Sequence, residues 1–156
     1  MKKKVLIIIS YILVIIWMGI IYYFSSMPAT SSADVSDGLI SKAVDVMSNF
    51  TNEIGITSYN DQTIANIKTF LDTPVRKLAH FTLYFILEVL VINALLISGI
   101  KKKVIIYSLL ICLLYAISDE IHQIFIPGRA GMVIDVLIDL SGSFLASNIV
   151  YLKIVK

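Results

Sequence analysis

The chain has 156 residues, 58% of them hydrophobic and 15% charged, with a formal net charge of +2. At a mean hydropathy of +0.87, that much apolar surface cannot be hidden inside a soluble globule of this length, so lipid must be the solvent for much of the chain. The length leads us to expect one domain over residues 1–156. The lysines sit in short clusters beside apolar runs, which marks membrane topology and argues against a nucleic-acid partner.

A bilayer core of about 30 Å takes about 20 helical residues. Four apolar runs meet that length: Val5–Phe24, Leu78–Ile100, Val104–Phe125 and Met132–Leu152. The first run is longer than the 7–15 apolar residues typical of a signal peptide, so it is expected to stay as a span. Lys2, Lys3 and Lys4 precede the first run, Lys101, Lys102 and Lys103 join the second to the third, and Lys153 and Lys156 follow the fourth. With four spans these clusters share one side, which the positive-inside rule makes cytoplasmic. The expected architecture is therefore all-α and polytopic, in the cell membrane, with both termini cytoplasmic.

The loop Ser25–Thr73 then lies outside the cell. Val35, Leu39, Ala43, Val46, Met47 and Phe50 recur there at helical spacing, with Ser36, Ser41, Lys42 and Asp45 between them. They predict an amphipathic helix capped by Ser32 or Asp34, with docking on the bundle the plainer placement and the outer leaflet the alternative. Ile64, Ile67 and Leu71 predict a second, shorter one. Asp72-Thr73-Pro74 reads as the start of the second span, with proline at the first helical position, where its missing N–H costs nothing.

The polar residues of the spans concentrate toward the outer side. Arg76, His80 and Tyr84 follow i, i+4, i+8 spacing, with Lys77 beside them and Glu88 one turn further. Asp119, His122 and Gln123 share a face of the third span, with Glu120 on its flank. The chain reverses at Ile126-Pro127-Gly128-Arg129, a type II turn pattern. Asp135 and Asp139 form one stripe on the fourth span, which Gly142 continues, and Gly142-xxx-Ala146 is a small-xxx-small pattern that permits close helix contact. Ionisable groups in lipid are costly, so these should face one another or a wet cleft. Cys112, the one cysteine, lies in an apolar run and reads as a packing residue.

Taken together these pieces resemble the VanZ-like membrane proteins. Phe24-Ser25-Ser26-x-Pro28 is similar to the family's signature after the first helix, and Arg76-Lys77-x-x-His80-Phe81-x-x-Tyr84 to the start of its second. Ser118-Asp119-Glu120-x-His122-Gln123-x-Phe125-x-Pro127-Gly128-Arg129, then Asp135 and Asp139-x-x-Gly142, resembles its hairpin between the third and fourth helices. The chain departs at Leu83, where many relatives carry Glu. The resemblance implies four spans and a role in the bacterial cell envelope. The family takes its name from a protein associated with low-level resistance to teicoplanin, a lipidated glycopeptide, and the resemblance supplies no reaction.

Three functional readings follow from the residues. In the first, Arg76, Lys77, Tyr84, Glu120, Gln123, Arg129, Asp135 and Asp139 line a cleft for an anionic membrane lipid, a lipidated glycopeptide or a lipid-linked cell-wall precursor. In the second, the cleft is an enzyme acting on such a lipid. His122 would be the acid/base, oriented by Asp119 or by Asp135 across the hairpin, with His80 as a second acid/base. In the third the cluster is a structural staple, with Arg129 paired to Asp119 or Asp135, and Arg76 and Lys77 paired to Glu120. No cofactor is called for. The histidines and acids are zinc-ligand types, but Glu120-x-His122 is not a dedicated zinc spacing, so no metal is expected. Ser118 is the nearest candidate nucleophile.

Overall fold

The computed structural model describes residues 2–53 and 61–155. The described residues form five helices: α1 (Lys2–Ser25), α2 (Ala29–Glu53), α3 (Asp61–Ser98), α4 (Val104–Gln123) and α5 (Val133–Val155). Four segments are long and apolar enough to cross a membrane: Lys2–Ser25, Ala65–Ser98, Val104–Gln123 and Val133–Lys153. Their outer surfaces are aliphatic, with Ile8, Ile12, Ile15 and Ile16 of α1 and Leu110 and Leu114 of α4 all about half exposed or more. The interior combines an apolar core that includes Ile21, Leu87, Ile92 and Ala116 with the buried polar groups Ser25, Glu88, Ser108, Asp119, Asp139, Ser143 and Ser147. An aliphatic exterior with polar groups kept inside is what hydrocarbon, not water, selects.

The contacts orient the helices. Ser25 and Ser26 at the end of α1 meet Asp119 and His122 at the end of α4. Ser98, at the end of α3, donates to the hydroxyl of Tyr11 in the first half of α1 (3.3 Å). So α1 and α4 run one way, and α3 and α5 return. One end of the bundle carries the α4–α5 hairpin, and the other carries the lysine clusters.

Two features differ from the sequence expectation. The second span does not begin at Pro74. α3 is one helix from Asp61, with Pro74 inside it, so Asp72 and Thr73 are helical residues rather than caps, and Ile67 and Leu71 belong to the same helix as His80. At about 1.5 Å per residue such a helix is roughly 57 Å long, nearly twice a bilayer core. A proline within a helix forfeits one backbone hydrogen bond. The flanking contacts still favour continuity: Arg76 pairs with Asp72 one turn back (3.3 Å), and Ser36 of α2 donates to the Asp72 carboxylate.

The second difference lies in α2. It begins at Ala29, upstream of both expected caps, Ser32 and Asp34. Its buried positions are Ser36 and Ile40, while Leu39 and Val46 are 57% and 70% exposed and Ala43 is exposed as well. The side chains of Val35, Met47, Phe50 and Ile64 lie outside those described. Ser36, which donates to the Asp72 carboxylate, is turned against α3 where the sequence pattern placed Leu39.

α3 and α5 approach each other closely at Gly142. A Cβ on Gly142 would meet the backbone of Phe81, 3.0 Å from its carbonyl carbon and closer still to its oxygen. Ala146 on the next turn is fully buried. The small-xxx-small stripe therefore does what its spacing suggests.

Candidate functional site

The hairpin end is built by local backbone chemistry. The Arg129 N–H donates to the Ile126 carbonyl (3.1 Å), and Gly128 at the third turn position has φ 75, the positive value a type II turn demands. Glu120 closes the hairpin: its carboxylate accepts the Met132 N–H (2.8 Å) just before α5 begins. Glu120 is buried rather than flanking, because its side chain is spent on this backbone group.

Arg129 folds back from the turn over the end of α1. Its Nε–H donates to the Met27 carbonyl (2.9 Å), one Nη–H to the Gln123 Oε1 (3.1 Å), and the other to the Phe24 carbonyl (3.4 Å). Burial lowers the guanidinium from its ordinary value, Arg76 adds to that, and Asp119, Glu120 and Asp135 oppose it. It remains a cation, as arginine does in proteins. Gln123 passes the polarity on, donating to Asp119 Oδ2 (3.2 Å), which also accepts the Ser25 hydroxyl (2.7 Å).

The ion pairs are not those expected from the sequence. Arg129 pairs with neither Asp119 nor Asp135. Lys77 pairs with Asp135 (3.2 Å), not Glu120, and Arg76 pairs with Asp72. The histidines also differ from the expectation in what they touch. His122 is not held by Asp119 or Asp135; its Nε2 shares a hydrogen bond with the Ser26 hydroxyl (3.1 Å), and its ring stacks on Tyr22 with centroids 4.5 Å apart. The histidine that faces a carboxylate is His80, whose Nδ1 lies 3.5 Å from Asp139 Oδ1. The reason is rotational. On α4, Asp119 and Gln123 turn inward, while His122 turns toward α1. Ser118 is exposed and donates to the Tyr115 carbonyl (2.7 Å).

Arg76, Lys77, His80, Glu120, Gln123, Arg129 and Asp135 share one cleft of ≈ 770 Å³. Its apolar wall includes Trp17, Leu78, Leu83, Ile86 and Ile138. Tyr84 and Asp139 lie behind that wall, fully buried. His80, Asp119 and Asp139, from three helices, bring ligand-type atoms within 4.8 Å of one another.

Some polar contacts were not read from the sequence. Trp17 donates its indole N–H to the Leu83 carbonyl (2.9 Å), and the Tyr115 hydroxyl donates to the Met18 carbonyl (2.6 Å). Deeper in the bundle, Glu88 Oε1 accepts the hydroxyls of Ser108 (2.6 Å) and Ser147 (2.5 Å). One signal could have found part of this: Asp135, Asp139, Ser143 and Ser147 continue a single i, i+4 stripe down α5. Ser25 and Ser26 were visible only as a signature without a role. Both hold the hairpin, one through Asp119 and one through His122.

The family model described as VanZ/LLP1 matches residues 10–154. The chain belongs to the VanZ/LLP1 family. The match takes in the first candidate span from residue 10 on, the other three spans whole, the hairpin and the cleft residues. No curated protein and no solved structure matches the chain significantly.

Proposed function

We propose that this VanZ/LLP1 family member binds an anionic amphiphile of the bacterial envelope in the hairpin-end cleft. The ligand would be an anionic membrane lipid, a lipid-linked cell-wall precursor or a lipidated glycopeptide of the teicoplanin type, and binding would contribute to antibiotic or envelope-stress resistance. In this reading the chain acts as one membrane domain. Its termini and lysine clusters are cytoplasmic, the cleft opens outward, and α2 rests its exposed Leu39 and Val46 on the outer leaflet.

The observation that carries the reading is the make-up of the cleft. Three cations, Arg76, Lys77 and Arg129, meet an apolar wall in a space of ≈ 770 Å³, within the size range of ligand pockets. A phosphate or carboxylate headgroup suits the first half of that lining, and an acyl chain the second. The Arg76 side chain lines that space and is 34% exposed, which leaves its guanidinium open to an anionic oxygen.

Trp17 is the one tryptophan of the chain and lines the cleft, so its fluorescence reports occupancy. Phosphatidylglycerol with brominated chains should quench it saturably in detergent, and brominated phosphatidylcholine should not. Arg76→Gln removes one charge-assisted hydrogen bond and should weaken quenching by about 10-fold or more. Equal quenching by both lipids, or an unchanged Arg76→Gln titration, would refute the reading.

The His80–Asp139 contact favours a second reading, an acid/base pair acting on the same ligand. In that case turnover of the bound lipid would depend on His80 and not on His122.

A further inference from the structure

We propose that His80, Asp119 and Asp139 form a binding site for a divalent transition-metal cation of the zinc or manganese type. The inference does not depend on the headgroup reading. It rests on three observations about groups buried behind the cleft.

The first is spacing. His80 Nδ1 and Asp139 Oδ1 stand 3.5 Å apart, long for a hydrogen bond. Two ligands each about 2.0–2.2 Å from one tetrahedral ion stand roughly 3.3–3.6 Å from each other. One atom from each of the three residues lies within 4.8 Å of the others.

The second is unmet demand. Asp139 is 0% exposed, and neither of its carboxylate oxygens accepts a hydrogen bond among the described residues. Asp119 is 3% exposed, with Oδ1 similarly without a donor. The Tyr84 hydroxyl, buried beside them, has no partner among the described residues either. Two carboxylates at such depth need compensating charge. None of the nearby cations forms an ion pair with either carboxylate: Lys77 pairs with Asp135, Arg76 with Asp72, and Arg129 reaches Asp119 only through Gln123. One imidazole cannot balance two carboxylates, whereas a dication can.

The third is support. A ligating carboxylate is usually held by hydrogen bonds on its other oxygen. Asp119 has this arrangement: Ser25 and Gln123 both donate to Oδ2, which leaves Oδ1 for an ion. Gln123 is itself held by Arg129. The Gly142–Phe81 contact sits one turn from Asp139 and next to His80, so it sets the separation of two of the three ligands. An imidazole with two carboxylates suits zinc or manganese better than calcium or copper(I). Three protein ligands leave a tetrahedral ion one open position.

The test uses the full chain purified in detergent without a polyhistidine tag or chelator. Its metal content is measured by mass spectrometry, then again after stripping with EDTA and dialysis against zinc or manganese, each alone. The expected result is about one ion per chain, lost on stripping and restored by one of the two metals. His80→Gln and Asp139→Asn should fall to near zero, while Asp135→Asn, with its carboxylate on the cleft wall, should keep the ion. If Asp139→Asn does not fold, cobalt substitution of the wild-type chain decides. A visible spectrum of a four-coordinate site with nitrogen and oxygen ligands supports the trio, and thiolate charge-transfer bands, which would implicate Cys112, overturn it. A wild-type chain that takes up neither metal overturns it as well. Loss of lipid quenching in Arg76→Gln with the metal retained would separate the two proposals.

Discussion

Gly142→Ala tests how the two central helices are held together. The added Cβ meets backbone, not a movable side chain: the Phe81 carbonyl carbon at 3.0 Å and its Cα at 3.3 Å, with the oxygen nearer still. Backbone cannot rotate away, so α3 and α5 must part by on the order of 1 Å, an overpacking strain of about 1–3 kcal/mol. Any helix-propensity gain from replacing glycine works in the opposite direction. Gly19→Ala controls for it, because a Cβ there has nothing within 4 Å. The difference between the two variants isolates the strain. At about 2–4 °C per kcal/mol for a chain of this size, Gly142→Ala should melt roughly 2–12 °C below Gly19→Ala in the same detergent. The separation should also lengthen the 3.5 Å contact between His80 and Asp139. Thermal melts followed by Trp17 fluorescence would read the difference. A Gly142→Ala chain that melts at or above the Gly19→Ala control would refute the close approach.

Two shorter predictions follow from the hairpin end. Ser25→Ala removes the 2.7 Å donor to Asp119 Oδ2 and should destabilise by about 1–3 kcal/mol, the usual loss when a buried acceptor is left short; an unchanged melting temperature would count against Ser25 as a support for the hairpin. Phe125 is 77% exposed just past α4, so Phe125→Cys should react with an impermeant maleimide on intact cells and Lys102→Cys should not. Cys112, at 1% exposure, should stay silent in both, and the reverse labelling pattern would invert the proposed topology.

The candidate site was legible in the sequence as a set of residues, less so as a set of partners. Spacing brought Arg76, Lys77 and His80 to one face, and the cleft contains all three. It also grouped Asp119, His122 and Gln123, of which Asp119 and Gln123 bond to each other while His122 turns to Ser26 and Tyr22. An i, i+3 offset leaves two side chains some 60° apart around a helix with 3.6 residues per turn. That angle is enough for one to face the core and the other a neighbouring helix. Charge complementarity suggested Glu120 as a partner for Arg76 and Lys77. The Met132 N–H took it instead, because an unpaired backbone donor at a helix start competes on equal terms with a side-chain cation.

The sequence by itself determined the solvent, the number of candidate spans, the turn at Pro127-Gly128 and the stripe that lets α3 and α5 touch. Each is local: run length, hydropathy, a dihedral only glycine adopts readily, and absent side-chain volume are all properties of short segments. The tertiary structure decided which face of α2 is buried, that α3 continues through Pro74, and that His80 rather than His122 faces a carboxylate. Those outcomes depend on the rotation and depth of each helix relative to its neighbours. In a bundle with a largely aliphatic exterior, no polar outer face reports that rotation. Polar groups such as Asp72 and the buried Asp119 and Asp139 set it by where their partners stand.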